Sequence, residues 1–429
     1  MIETSEILLR RNKLIDLVKE DSIVLLFSGV PKKFSEDEDF DFESNHNFKY
    51  LTNIEQEGSI LLIKKENGII NETLYVLPYD PLVEKWTGKR LTIEEARKLS
   101  GVENILNTTQ FESDFELAIS SKIYKNIYLD LDSELKIKDN YLTTTLKDDI
   151  ISHYGEFINV LDIYKLIASL RMVKSEAEVC EFKSAIKKTD LALQELMKNI
   201  APGKKEYQMA ALFNYFIKNY DNSKPSFATI SSSGENACCL HYAEGAGELK
   251  DGGLILFDLG SKHNGYCADI SRTYPVNGKF NDLERTIYQI VLDCNKMIIK
   301  SVKVGMTLRD LNNLATEFLA EKCLKAKLIK TKEDIKNVYY HSVSHFIGLD
   351  THDVSACLEN EELRHSDIPL KEGNVISDEP GLYFKEYGIG IRIEDDILVT
   401  KKGGYNLSES IIKEIKDIEE FMAKYNKNI

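Results

Sequence analysis

The chain has no Cys-x-x-Cys pair, a single tryptophan, no long apolar run and no surplus of positive charge. Its seven cysteines, at 180, 238, 239, 267, 294, 323 and 357, are scattered and odd in number, which argues against a disulfide framework and for a reducing compartment. Nothing approaches the run of about 18 apolar residues that a membrane-spanning helix needs. Near the start stand Glu3, Glu6, Arg10, Arg11, Lys13, Asp16, Lys19, Glu20 and Asp21; no signal-peptide core survives them, and a cytoplasmic location is expected. The net charge of −15, without a long block of one sign, disfavours nucleic acid or an anionic membrane as the main partner, because both require clustered Lys and Arg. There is no low-complexity segment and no tandem array.

What is present is the composition of a soluble globular protein, 43% hydrophobic and 29% charged, over a length of 429 residues that suits two domains. Residues 1–165 read as a smaller α/β domain, with strands at 22–27, 59–63 and 73–77 and helices at 93–99 and 111–121. This part carries no catalytic cluster; its notable residues are His46 and the sole Trp86. Residues 172–429 read as an α+β domain. A long amphipathic helix spans 176–199, with Val179, Phe182, Ile186, Leu191, Leu193 and Leu196 on one broad face, and Pro202-Gly203 stops it. Further helices are expected at 207–219, from the Asn281-Asp282 cap to 300, at 308–326 and from Glu409 onward. Strands are expected at 227–231, 254–259, 266–276, 375–380 and 390–400.

Three signals in the second domain carry chemistry. The first is Gly253-Leu-Ile-Leu-Phe-Asp258-Leu-Gly260, followed by Gly265-Tyr-Cys-Ala-Asp269-Ile-Ser-Arg-Thr. Asp258 lies in an otherwise apolar run, where an unpartnered carboxylate is costly. Asp258 and Asp269 are 11 positions apart around a Lys262-His263-Asn264-Gly265 turn; an odd spacing around an even loop puts both on one face of a hairpin, opposite or one step diagonal. The second signal repeats the device: Glu379, in Ser377-Asp378-Glu379-Pro380-Gly381, and Glu394, in Gly390-Ile-Arg392-Ile-Glu394-Asp395-Asp396, are 15 apart around a Gly-containing turn. The third is His341-Ser-Val-Ser-His345-Phe-Ile-Gly-Leu-Asp-Thr-His352-Asp353, three of the chain's eight histidines in one short stretch. A single acid at a turn usually just satisfies that turn. Two acid-bearing hairpins beside a histidine cluster point instead to metal or acid–base work, and like charges so placed repel unless a cation lies between them. Four carboxylates balance two divalent cations, and an oxygen-rich set with a single imidazole and no thiolate suits manganese, cobalt or zinc in a hydrolytic centre.

These residues give the chain its resemblance to aminopeptidase P, the Xaa-Pro aminopeptidase of the pita-bread metallopeptidases. The resemblance runs over almost the whole length: Asn53-Ile-Glu-Gln-Glu-Gly-Ser, Trp86-Thr-Gly-Lys-Arg90, Arg171-Met-Val-Lys174, His241-Tyr242, the block from Asp258 through Asp269 to Phe280, the histidine block, Glu379-Pro-Gly-Leu-Tyr383 and Arg392-Ile-Glu394. It implies Asp258 on one metal, His345 and Glu379 on the other, Asp269 and Glu394 bridging, and a bridging hydroxide as nucleophile. It further implies Glu379 as general base, His352 and His241 stabilising the oxyanion, and His341, Arg392 and Tyr383 on the proline side of the cleft. It also implies a homodimer or homotetramer, with Trp86 of the N-terminal domain reaching a neighbour's cleft. The substrates would be peptides with proline second; Xaa-Pro dipeptidase, which shares fold, metals and ligands, is the alternative. Phe346 stands where the family often has Trp, and Ser355 follows Val354 where Gly is common, departures that bear on pocket size rather than on the ligands.

Overall fold

The computed structural model describes residues 2–131 and 141–426. Its contacts divide the chain into two compact units, Met1–Arg171 and Met172–Ile429.

The first unit is built on a six-stranded mixed sheet. Its strands are β1 (Ser22–Phe27), β2 (Ile60–Glu66), β3 (Ile69–Val76), β4 (Asn104–Asn107), β5 (Asn126–Leu129) and β6 (Asn159–Asp162), in the order β4-β3-β2-β1-β5-β6. The expected strand at 22–27 is found at those bounds, whereas the two that follow it are longer and meet at Asn67-Gly68. Both turn residues have positive φ, 50° and 75°, the geometry a two-residue hairpin needs to match strand twist. The sequence reading stopped short there because the tip is polar. It missed β4, β5 and β6 because four residues are too few to display a period. Trp86 lies on the short helix Glu84–Thr87, 90% exposed. Arg90 ties this loop down, its guanidinium donating to the Pro78 carbonyl at 2.8 Å and its backbone N–H to Glu84 at 3.0 Å.

In the second unit, five long helices pack around two acid-bearing hairpins: Glu176–Asn199, Glu206–Asp221, Asp282–Ser301, Leu308–Lys325 and Ile415–Tyr425. Four of them fall close to where periodicity and caps put them; Asn281 caps its helix by accepting from the Glu284 N–H. The first hairpin comprises β7 (Ile230–Ser233), β8 (Leu254–Leu259), β9 (Lys262–His263), β10 (Tyr266–Cys267) and β11 (Ile270–Pro275). Asp258 opposes Ser271 and Lys262 opposes Cys267. These pairs share one register, so β8–β11 form a single ribbon closed by Asn264-Gly265, both at positive φ. In that register Asp269 falls diagonally beside Asp258, on the same face. Gly260 is obligatory opposite it, since a Cβ there would lie 1.8 Å from the Ala268 carbonyl oxygen.

The second hairpin pairs β12 (Val375–Asp378) with β15 (Asp395–Thr400) and β13 (Gly381–Phe384) with β14 (Ile389–Arg392), and β16 (Gly403–Asn406) extends it. Asp378 opposes Asp395 and Gly381 opposes Arg392. The register is again continuous, and Glu379 falls directly opposite Glu394 in the gap, where Pro380 has no N–H to give. The two hairpins are stitched together at that gap. The Glu394 N–H donates to the Ser271 carbonyl at 3.0 Å. The fully buried Arg272 donates to the Ser271 and Glu394 carbonyls at 2.9 and 2.5 Å and to Asp395 at 2.7 Å.

Two expectations need correction. The strand expected at 227–231 begins only at Ile230, and Phe227–Thr229 instead form a cavity wall. The last helix begins at Ile415, not at Glu409. The carbonyls of Ile411 and Ile412 accept from Arg272, Ser408 Oγ donates to Asp395, and the Lys413 ammonium contacts the same carboxylate. That buried charge takes the backbone a first helical turn would have used.

Candidate metal centre

The hairpins place Asp269, His345 and Glu394 so that one ligand atom from each lies within 4.8 Å of the other two. His345 Nε2 is 3.3 Å from Asp269, 3.4 Å from Glu379 and 3.9 Å from Glu394. Its Nδ1 lies 3.0 Å from the Phe346 carbonyl, which can only accept. The ring is therefore fixed with Nε2 turned to the acids, as a ligating imidazole requires. Glu379 is held by Ser377 Oγ at 3.2 Å, and the same hydroxyl accepts from the His345 N–H at 2.9 Å. Ser271 Oγ lies between Asp258, at 3.2 Å, and Glu394, at 2.8 Å. Asp258 is turned to Arg392, whose Nη2 donates to it at 2.6 Å, while Arg392 Nε donates to Ser271 at 2.8 Å and Nη1 to the Tyr383 hydroxyl at 3.0 Å.

The electrostatics are those of a cation site. Burial foremost raises Glu379 to about 7, against the pull of His345 and Arg392 and with the repulsion of Asp269 and Asp258. Burial and then the charges of Asp269, Glu379 and Asp258 push Glu394 well up, and burial likewise raises Asp258. Burial by itself would lower His345, yet its hydrogen bond to Asp269 and the charges of Glu379 and Asp269 raise it to about 9. Crowded acids that cannot all ionise, and that stabilise positive charge where they meet, fit a divalent ion. Carboxylate oxygen with one imidazole nitrogen is the donor set of hard to borderline ions.

The remaining sequence candidates distribute as follows. Asp258, Asp269, His345, Glu379, Glu394, His241, His341, His352 and Arg392 all line one cavity of about 940 Å³. The His352 ring stacks on His345, centroids 4.0 Å apart and planes 9° apart. Burial and then the His345 charge lower His352 to about 4, so it is neutral near pH 7. His241 is on the exposed edge. Tyr383 is buried behind the wall, its hydroxyl 2.8 Å from His341 Nε2. Trp86 belongs to the other unit. Sequence reasoning gave no role to Ser271, Ser377 or Asn312. Ser271 could have been found: it stands two residues after Asp269, hence on the same strand face.

Among proteins of known kind, the model of metallopeptidase family M24 matches residues 181–401, and that of the aminopeptidase P N-terminal domain matches residues 8–128. The chain is 30% identical to the Xaa-Pro aminopeptidase of Haemophilus influenzae over 96% of both chains, and 29% identical to that of Escherichia coli over 99% of both. A solved Bacillus anthracis structure assigned to aminopeptidase P superposes with a TM-score of 0.95 at 37% identity over the full length of both chains.

Asp269→Asn and Glu394→Gln each remove a charge from the point where the donors converge. Either variant, dialysed against manganese and measured by elemental analysis, is expected to retain less than about a tenth of the wild-type metal, because loss of a ligand costs far more than loss of its orienting partner, itself about 10–100-fold. Full metal content in both would remove these acids from the site.

Proposed function

Because the chain belongs to metallopeptidase family M24, with an aminopeptidase P N-terminal domain ahead of a pita-bread catalytic domain, we propose that it is a Xaa-Pro aminopeptidase, releasing the N-terminal residue of peptides whose second residue is proline. The observation that carries the reading is the convergence of Asp269, His345 and Glu394, with Glu379 on the same imidazole, in a cavity large enough for a peptide end. Full-length likeness to Xaa-Pro aminopeptidases, N-terminal domain included, favours this over a dipeptidase.

Asp258, Asp269, His345, Glu379 and Glu394 would hold two divalent ions, with manganese the best match to an oxygen-rich set and cobalt or zinc within its range. Bound there, such ions polarise the scissile carbonyl and ease the deprotonation of water. The chain's own groups do the rest. Glu379 takes the proton of the attacking water and returns it to the departing proline nitrogen. His352, neutral and stacked on His345, and His241 at the rim present N–H donors to the developing oxyanion. Asp258 receives the free α-amine, which confines cleavage to the first bond. His341 and Arg392, backed by Tyr383, form the proline side, where shape must select, since proline's amide offers no N–H.

The test is a cleavage panel on manganese-loaded protein comparing Xaa-Pro dipeptides with longer Xaa-Pro peptides and with peptides lacking proline. Release of the first residue only from Xaa-Pro peptides, longer ones included, and its loss on chelation, supports the assignment; cleavage confined to dipeptides makes the chain a dipeptidase. In the same assay His352→Ala is expected to lower kcat by about 10²–10³-fold, the usual loss for one oxyanion donor, with metal content unchanged.

The N-terminal domain serves association and access to the cleft, in a cytoplasmic homo-oligomer. What supports this is Trp86, a large apolar face left 90% exposed on a loop that Arg90 holds in place; exposed tryptophans are frequent interface anchors. Trp86→Ala is expected to shift light scattering toward monomer and to change KM or peptide-length preference while sparing metal content. A wild-type protein that is monomeric and fully active would refute the shared cleft.

A further inference from the structure

The proline side of the cavity has an unusual donor inventory. His341 Nδ1 lies 2.9 Å from the Ser342 carbonyl and therefore donates to it. Its Nε2, 2.8 Å from the Tyr383 hydroxyl, then accepts from that hydroxyl, whose oxygen in turn accepts from Arg392 Nη1. Arg392 spends Nε on Ser271 and Nη2 on Asp258. His341 is thus satisfied within the protein, and three of the five N–H groups of Arg392 are already spent. A peptide running past proline presents acceptors there, beginning with proline's own carbonyl, and an unmatched acceptor in a closed site costs affinity.

Asn312, on the helix Leu308–Lys325, lines the same cavity and is oriented by the fold. Its Oδ1 accepts from the backbone N–H of Val343 at 3.0 Å and from the Tyr339 hydroxyl at 2.9 Å. A backbone N–H can only donate, so the carboxamide cannot be flipped. Its NH₂ end makes no hydrogen bond to any described residue. The two groups it anchors flank His341 in sequence, and the Val343 carbonyl accepts from the Glu379 N–H at 2.9 Å. Asn312 is therefore fixed against the segment that carries His341 and supports Glu379, with a double donor left over.

We propose that Asn312 is a specificity-determining residue whose carboxamide N–H donates to the carbonyl that follows the scissile Xaa-Pro bond, so that substrates in which proline is followed by an amide are preferred. The proposal rests on the Xaa-Pro aminopeptidase reading. It assigns the helix Leu308–Lys325 a contact with the leaving peptide, where shape alone has so far been invoked.

The decisive comparison uses alanyl-proline amide and alanyl-pyrrolidide, which share a scissile bond and differ in the carbonyl group at issue. Asn312→Asp keeps an oxygen for Val343 and Tyr339 but cannot donate; Asn312→Ala removes donor and acceptor without adding charge. Wild type is expected to show a KM about ten-fold lower for the amide than for the pyrrolidide, and both variants to erase that preference, with KM rather than kcat carrying the change. Inhibition by prolinamide and by pyrrolidine gives the same contrast without turnover. A role confined to holding Val343 predicts that Asn312→Asp behaves as wild type; that result, or an equal KM rise on both substrates, overturns the proposal. If wild type cleaves neither substrate while cleaving no other Xaa-Pro bond, the aminopeptidase reading fails first and this one with it.

Discussion

Asp258, Asp269, Glu379 and Glu394 are brought together in a largely buried space where four ionised carboxylates cannot coexist unaided. At an effective dielectric of about 20, two charges 4 Å apart repel by roughly 4 kcal/mol, and Glu379 and Glu394 each feel the charge of more than one other acid. The surroundings answer that repulsion. His345 and Arg392 each reach more than one acid or its hydroxyl bridge. Ser271 and Ser377 add neutral hydroxyls where another charge could not be tolerated. A site assembled at such electrostatic cost is held by the packing around it, and its affinity for cations is the other side of that cost.

The packing works through register. The strand pairing is interrupted at Asp269 in the first hairpin and at Glu379 and Glu394 in the second and resumes beyond without slippage, so a one-residue slip would send these acids to the opposite face. Three devices prevent it: the Asn264-Gly265 turn at positive φ, the absent Cβ of Gly260, and Arg272, which binds both hairpins and the segment before the last helix at once. Farther out, Lys174 and Asp353, both almost fully buried, pair at 2.9 Å next to the His352 turn. Breaking such a pair from one side costs about 3–5 kcal/mol, so the histidine segment is as firmly fixed as the hairpins.

Much of this arrangement was legible in the sequence, and for one reason. Odd spacing of acids around a Gly-containing turn is a statement about strand faces, and both hairpins obey it. The long helices were legible because period and end signals agree, as at the Asn281 cap and at the Pro202-Gly203 stop. Illegible features were those where a tertiary partner overrides local preference. The residues from Glu409 to Glu414 read as helix, but their polar groups are drawn to Asp395 and Arg272. The role of Asn312 is invisible in a helical pattern, because it depends on which end of a carboxamide meets a backbone N–H from a distant loop. Nor does spacing reveal that Asp258 is bound to Arg392, since the two stand 134 positions apart.

The acid count itself needs the structure. Five acids stand in Asp378-Glu379 and Glu394-Asp395-Asp396, and a reading by charge alone would count all of them with Asp258 and Asp269. They differ. Asp395 is held ionised by Arg272 and Lys413, against a strong burial effect, so its charge is already spent. Asp378 and Asp396 are pushed well up, by burial first and then by Asp395 and Asp269 respectively, and in each the Oδ1 atom is buried with no hydrogen-bond partner. A buried oxygen of that kind is far cheaper to keep protonated than charged, and neither residue lines the cavity. The remaining acids, Asp258, Asp269, Glu379 and Glu394, are those that line the cavity, and ionised they would equal in charge the two divalent cations proposed for the site. With Arg392 bound to Asp258 inside it, a cluster so balanced would favour the group that gains negative charge in amide hydrolysis, the carbonyl oxygen in the transition state rather than in the substrate.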